Sequence, residues 1–245
     1  MKANLKLMCV GAHPDDECFA FGGALALAAD RRIETYVVCL TDGQAAQHRG
    51  DAASGQELGA IRRNEFAASC RLLGVTHHEM LDFHDGQLEL VEFSAAAGQL
   101  VGRMRRFQPD VVITFGADGG PNTHADHMMA SMWTTAAFHW AGRAKRYPEL
   151  VPAYQPRRLF HATTHFMLPD RQAPLPIPWT VRLDIRRVQT RKAEAFREHP
   201  SQGPLIEATR ELFERYGGEE LYTLMAAEGI QSAKPMHDLF EGLEA

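Results

Sequence analysis

The sequence predicts an α/β fold in which a doubly wound, mainly parallel sheet carries helices on both faces. Three observations lead to it. Strand-like and helix-like segments alternate through residues 1–145, and such alternation implies right-handed crossovers and a parallel sheet covered on both sides. Turn punctuation falls where those segments end, at Gly11, Thr41-Asp42-Gly43 and Gly74. A length of 245 residues, with 45% hydrophobic and 23% charged side chains, is that of a globular chain able to bury a large core. That composition excludes disorder and coiled coil.

Leu5 to Val10 reads as a short buried strand, and Glu17 to Arg31 as a helix with apolar residues along one side. Ile33 to Leu40 is a second strand, and Gln56 to Leu73 a strong amphipathic helix closed by Gly74. Glu79 to Phe83 is a third strand, followed by a helix from Ser94 to Phe107 with Ser94 as its N-cap. Val111 to Phe115 is a fourth strand, and a helix runs from Ala125 to Ala144. The second half is less regular, with seven of the 13 prolines between Pro148 and Pro178. Strands are expected at Arg158 to Met167 and Trp179 to Ile185, and helices at Arg186 to Arg197, Leu205 to Tyr216 and Met236 to Leu243. With no internal repeat or linker, residues 1–245 read as one Rossmann-like domain. Residues 1–145 form its regular core, and 146–245 complete the sheet and add the C-terminal helices.

Lys plus Arg number 26 and Asp plus Glu 31, a formal net charge of −5. Lacking a basic surplus or stripe, the chain is not expected to bind nucleic acid. The longest apolar run, Phe19 to Ala29, is short of the ~20 residues that span a bilayer. The apolar stretch behind Lys2 and Lys6 meets His13-Pro14-Asp15-Asp16 too early for a signal peptide. Cys9, Cys18, Cys39 and Cys70 include no C-x-x-C pair, so zinc-finger and disulfide-framework readings fail. The expectation is a cytoplasmic protein without a transmembrane segment.

The loop after the first strand reads Gly11-Ala12-His13-Pro14-Asp15-Asp16-Glu17. A dinucleotide site would place a glycine-rich turn here for a pyrophosphate. Three acids in a row repel phosphate and attract a cation. The loop after the fourth strand reads Asp118-Gly119-Gly120-Pro121-Asn122-Thr123-His124-Ala125-Asp126-His127. In a doubly wound sheet the first and fourth strands often flank the point where strand order reverses, and ligands bind outside the strand ends there. Two loops rich in His and Asp then meet in one crevice. Taken singly, Asp15 or Asp16 reads as a helix cap and His124 or His127 as a satisfied polar residue. Together they suit a catalytic metal site of two histidines and a carboxylate, with one carboxylate left over as a base.

These motifs resemble the LmbE-like (PIG-L) family of zinc-dependent N-deacetylases. Arg62-Arg63-Asn64-Glu65, Leu81-Asp82-Phe83-His84-Asp85-Gly86 and His199-Pro200-Ser201-Gln202 are similar to weaker family features. The resemblance implies removal of an acetyl group from an N-acetylglucosamine-containing small-molecule conjugate. It implies Zn2+, or Fe2+ or another divalent ion, held by His13, Asp16 and His127. Asp15 takes the part of general base on the metal-activated water. His124, oriented by Asp126, stabilises the oxyanion or protonates the leaving amine, and Arg62 and Asp85 match positions that hold sugar hydroxyls. Homo-oligomers are common among relatives. The chain departs from the family pattern at Ala125, where many relatives carry proline, and at Asn122, where some place a tyrosine that helps hold the intermediate.

Two other readings compete. Non-haem Fe(II) enzymes also use two histidines and a carboxylate, but normally on antiparallel strands. A metal-dependent sugar-binding protein without catalysis has no use for a spare carboxylate or a His124–Asp126 pair. Arg62 and Glu65 also read as a plain i,i+3 ion pair on a helix surface.

Overall fold

A computed structural model of the chain describes residues 5–164, 178–229 and 235–243. The elements are β1 (Lys6–Gly11), α1 (Asp16–Phe19), α2 (Gly22–Asp30), β2 (Glu34–Thr41), α3 (Gly55–Leu73), β3 (His77–Phe83), α4 (Phe93–Phe107), β4 (Val111–Phe115), α5 (Ala125–Ala141), β5 (Arg158–Thr163), β6 (Val181–Asp184), α6 (Gln189–Arg197), α7 (Gly203–Tyr216) and β7 (Glu219–Ala227). One seven-stranded sheet runs in the order β3-β2-β1-β4-β5-β7-β6. β1 to β5 pair in parallel, and β7 is antiparallel to both β5 and β6. β1 sits beside β4, with Leu7 opposite Val111, so strand order reverses where the two motif loops leave the sheet. Right-handed crossovers send the connections before and after this point to opposite faces. α4 packs on α5, while α2 and α3 pack on α6.

Both layers bury an apolar core that includes Leu7, Met8, Val10, Val37, Ile113, Phe160 and Trp133. The four cysteines are free and buried within it, where a thiol behaves as a small hydrophobe.

Several expectations are corrected. The helix expected from Glu17 to Arg31 is broken between Phe19 and Gly22. The second piece starts where Glu220 accepts hydrogen bonds from the N–H groups of Gly23 (2.7 Å) and Ala24 (2.9 Å). Glu220 lies 197 residues from Gly23 along the chain. α4 is capped by Glu92, which accepts from the N–H groups of Ser94 and Ala95, and not by Ser94. α5 ends at Ala141, earlier than Ala144. Met236 to Leu243 forms no helix; Met236 makes a single bridge to Val181, and turns follow. β7 is a strand the sequence reading does not anticipate. Its Glu, Leu, Met and Ala content is poor strand composition, and two antiparallel partners override it. The strand expected from Arg158 runs to Thr163, and the rest of that expectation, with His165, lies outside the described residues.

Candidate active site

β1 delivers His13, Asp15 and Asp16 from its carboxyl end through a turn with no spare room. A β-carbon on Gly11 would stand 2.9 Å from that of Asp16, so glycine is required where the chain doubles back. Asp16 Oδ2 closes the turn by accepting from the N–H groups of Ala12 (2.7 Å) and His13 (2.8 Å). Its other oxygen is left facing His127. On the opposite loop, His124 is the N-cap of α5 and His127 lies in its first turn. The His127 ring stacks on Phe115, centroids 3.9 Å apart and 4° from parallel.

His13 Nδ1 and His127 Nε2 stand 3.2 Å apart, and His127 Nε2 is 3.3 Å from Asp16 Oδ1. The far nitrogen of each ring has its own acceptor. His127 Nδ1 donates to the Gly119 carbonyl at 3.0 Å. His13 Nε2 donates to Asp85 Oδ1 (3.0 Å) and Asp126 Oδ2 (3.2 Å). The near nitrogens and the Asp16 oxygen therefore converge as acceptors, which only a cation or an added proton can reconcile. Donors at 2.0–2.1 Å from a tetrahedral zinc stand about 3.3 Å apart; the His13–His127 and His127–Asp16 separations match that, and His13 Nδ1 lies 3.9 Å from Asp16 Oδ2. Burial opposes charge on His13, but Asp126 and Asp85 outweigh it and raise its pKa to about 10. Burial also opposes ionisation of Asp16, yet His127 and His13 hold its carboxyl well below the usual range. His124 lies in the same group, its ring nitrogen within 4.8 Å of those of His13 and His127.

Asp15 is buried beside this cluster with φ 114°. Burial pushes its carboxyl up to about 6, against the pull of Arg62 and with the push of Asp16. Arg62 Nη2 donates to Asp15 Oδ2 at 3.1 Å and also to the Pro14 carbonyl, while Nη1 donates to Gly43 O at 3.2 Å. Burial, with the charges of His13 and His127, lowers the His124 pKa and keeps that ring neutral. Its Nδ1 accepts from the Asp126 N–H at 3.1 Å, which leaves the proton on Nε2.

An open crevice brings His13, Asp15, Asp16, Arg62, Asp85, Asn122, His124 and His127 to one surface. Of the residues expected there, Asp126 is the exception. Its carboxylate turns to His13 and to the N–H groups of Gly86 (2.6 Å) and Leu88 (3.2 Å), and it meets His124 only through its main chain. Arg62 and Asp85, expected against sugar hydroxyls, both line the crevice and both bond within the protein, while Arg62 Nε has no hydrogen-bond partner among the described residues. Asp85 binds His13 and, at 3.1 Å, the Ala45 N–H. Nor does Arg62 pair with Glu65, which accepts from the N–H and hydroxyl of Ser201. On β5, His161 is buried and bonded to Thr135, with its pKa lowered by burial to about 4. Sequence reasoning missed Phe19, Phe115 and Leu205 in the crevice wall, because each reads as ordinary core.

The PIG-L family model, described as GlcNAc-PI de-N-acetylase, matches residues 8–138. A mycothiol S-conjugate amidase from Streptomyces coelicolor is 32% identical over 182 residues. That alignment covers 66% of this chain and 61% of the relative, so the chain spans less than two thirds of its length. A 1D-myo-inositol 2-acetamido-2-deoxy-alpha-D-glucopyranoside deacetylase from Acidothermus cellulolyticus is 28% identical, over 97% of this chain and 95% of that protein. Among solved structures, the N,N'-diacetylchitobiose deacetylase from Pyrococcus horikoshii superposes with a TM-score of 0.71 at 25% identity, over 90% of this chain and 84% of that one. The matched segment runs from within β1 to the last turn of α5 and holds the whole donor cluster; this protein belongs to the PIG-L family.

Proposed function

We propose that the protein is a metal-dependent N-deacetylase acting on an N-acetylglucosamine-containing conjugate, with His13, Asp16 and His127 holding zinc and Asp15 serving as general base. The observation that carries this reading is the pairing of a converging three-donor cluster with a fourth, buried carboxylate that takes no part in it. A pure binding site has no need of Asp15. A divalent cation on these donors lowers the pKa of water from 15.7 to near 7 and polarises the acyl carbonyl.

The chain's own groups supply the rest. Arg62 fixes the Asp15 carboxylate, whose pKa of about 6 suits a base at neutral pH. Having taken the proton of the attacking water, Asp15 becomes the acid that returns it to the leaving amine. His124, neutral and carrying its proton on Nε2, donates a hydrogen bond to the developing oxyanion. Asp126 and Asp85 fix the tautomer and tilt of His13 from behind. The named activities of the relatives support N-acetylated sugar conjugates as the substrate class. Four free, buried cysteines favour a cytoplasmic setting, and among the described residues no helix is long and apolar enough to cross a membrane.

The test is amine release from a panel of N-acetylglucosaminides by zinc-loaded protein, with Asp15→Ala alongside. Turnover that vanishes in a variant still holding zinc supports the assignment. Equal rates in the two proteins, or no turnover across the panel, would sink it.

A further inference from the structure

We propose that Glu17, held in turn by Ser69 and His199, is a positioning residue that clamps the main chain of Asp15 in the conformation that aims its carboxylate into the crevice. This rests on the reading of Asp15 as the general base.

Asp15 has φ 114° and ψ −23°, a region that side-chain-bearing residues rarely adopt and keep only where their surroundings enforce it. Its peptide is tied at both ends. The Asp15 carbonyl accepts from the N–H groups of Cys18 (3.1 Å) and Phe19 (2.8 Å) at the start of α1. Its N–H donates to Glu17 Oε2 at 2.9 Å. The other oxygen of Glu17 accepts from Ser69 Oγ on α3 (2.5 Å) and His199 Nε2 in the turn after α6 (2.7 Å). Glu17 is 2% exposed, and Ser69 and His199 are each 0%.

None of the three lines the crevice, so they act through Asp15 and not on substrate. Cys18 also lies within 4.8 Å of Glu17 and His199. Its thiol, however, donates to the Asp15 carbonyl at 3.0 Å, and burial raises its pKa well above the ordinary value. A hydrogen-bond frame fits these atoms better than a second metal site. Arg62 grips the Asp15 carboxylate from one side while Glu17 grips its main chain from the other. Without Glu17 the peptide between Pro14 and Asp15 is free to turn and swing the carboxylate away.

The experiment compares zinc-loaded wild type with Glu17→Ala, Glu17→Gln and Ser69→Ala, reading kcat, KM, zinc stoichiometry and the Asp15 φ in zinc-bound crystal structures. Glu17→Ala is expected to lower kcat about 100-fold, the loss a misplaced group typically brings, with KM and zinc content held. Glu17→Gln keeps an oxygen for the same N–H and recovers most of the rate, and Ser69→Ala falls between. In Glu17→Ala the Asp15 φ leaves the left-handed region.

A folded Glu17→Ala with near-wild-type kcat, or with φ still positive, overturns the proposal. Parallel loss of zinc and rate overturns it too, because Glu17 is then only structural. If Glu17→Ala does not fold, Ser69→Ala decides, and an unchanged kcat there is fatal. Should wild type turn over nothing, the deacetylase reading falls, while the φ measurement still tests the clamp.

Discussion

The five parallel strands and the antiparallel edge of the sheet are specified by different kinds of information. From β1 to β4 each strand announces itself locally and ends in a loop whose residues declare their chemistry. Next to the other edge, β7 has the composition of a helix and becomes a strand because β5 and β6 flank it. The two regions also do different work. The parallel half holds the donor cluster and Asp15. The antiparallel edge reaches back beneath it, with Glu220 capping α2, accepting from Lys192 Nζ at 2.6 Å and from the Tyr222 hydroxyl at 2.7 Å. The second helix after the donor loop is thus capped by a carboxylate from the other region, and that contact leaves no local trace in the sequence.

That division can be broken experimentally, starting from the parallel half. Asp15→Ala carries the largest expected effect, a loss of ~10²–10⁴ in kcat, the usual contribution of general acid–base catalysis, with zinc retained. Glu220→Ala attacks the other region. It strands Lys192, 5% exposed, in the interior and removes the cap of α2. Breaking such a buried pair costs about 3–5 kcal/mol, read as a fall in urea midpoint, while the folded fraction keeps its zinc affinity. A Glu220→Ala protein as stable as wild type would dissolve the contrast.

Asp126→Asn is a finer probe. Loss of the charge behind His13 lowers zinc affinity by ~10–100-fold, measured by chelator competition, and kcat at saturating zinc changes less. If kcat falls while affinity holds, Asp126 serves His124 after all. The smallest effect is in pH. Because burial raises the Asp15 carboxyl to about 6, that carboxyl is ionised above this value and protonated below it. The kcat/KM of zinc-loaded enzyme is expected to hold at neutral pH and fall on the acid side, at or somewhat below 6 once a cation draws the limb down. A profile flat to pH ~4 removes Asp15 as the titrating base.

Much of the site was legible in His13-Pro14-Asp15-Asp16 and His124-Ala125-Asp126-His127, because residues that bind cations and move protons are costly to bury for any other purpose. Their meeting followed from the alternation of strands and helices, which puts β1 beside β4. What was not legible concerns direction. Asp126 was expected to face His124 and faces His13, a matter of one rotamer within the first turn of α5. Arg62 lines the crevice as expected of a substrate contact, but its bond to Asp15, across 47 residues of sequence, has no local signal. His199, read only as part of a weak family-like motif, is the fully buried partner of a glutamate 182 residues away.

The sequence alone therefore determined the parallel sheet, the switch point and which histidines and carboxylates meet there. These depend on periodicity, on turn chemistry and on the type of side chain, all of which are local. Tertiary structure alone decided the break between α1 and α2, the antiparallel edge, the left-handed Asp15 and the acceptor of each buried hydrogen bond. Those depend on which groups end up within 3 Å of one another once water has been excluded, and residues far apart in the chain set that.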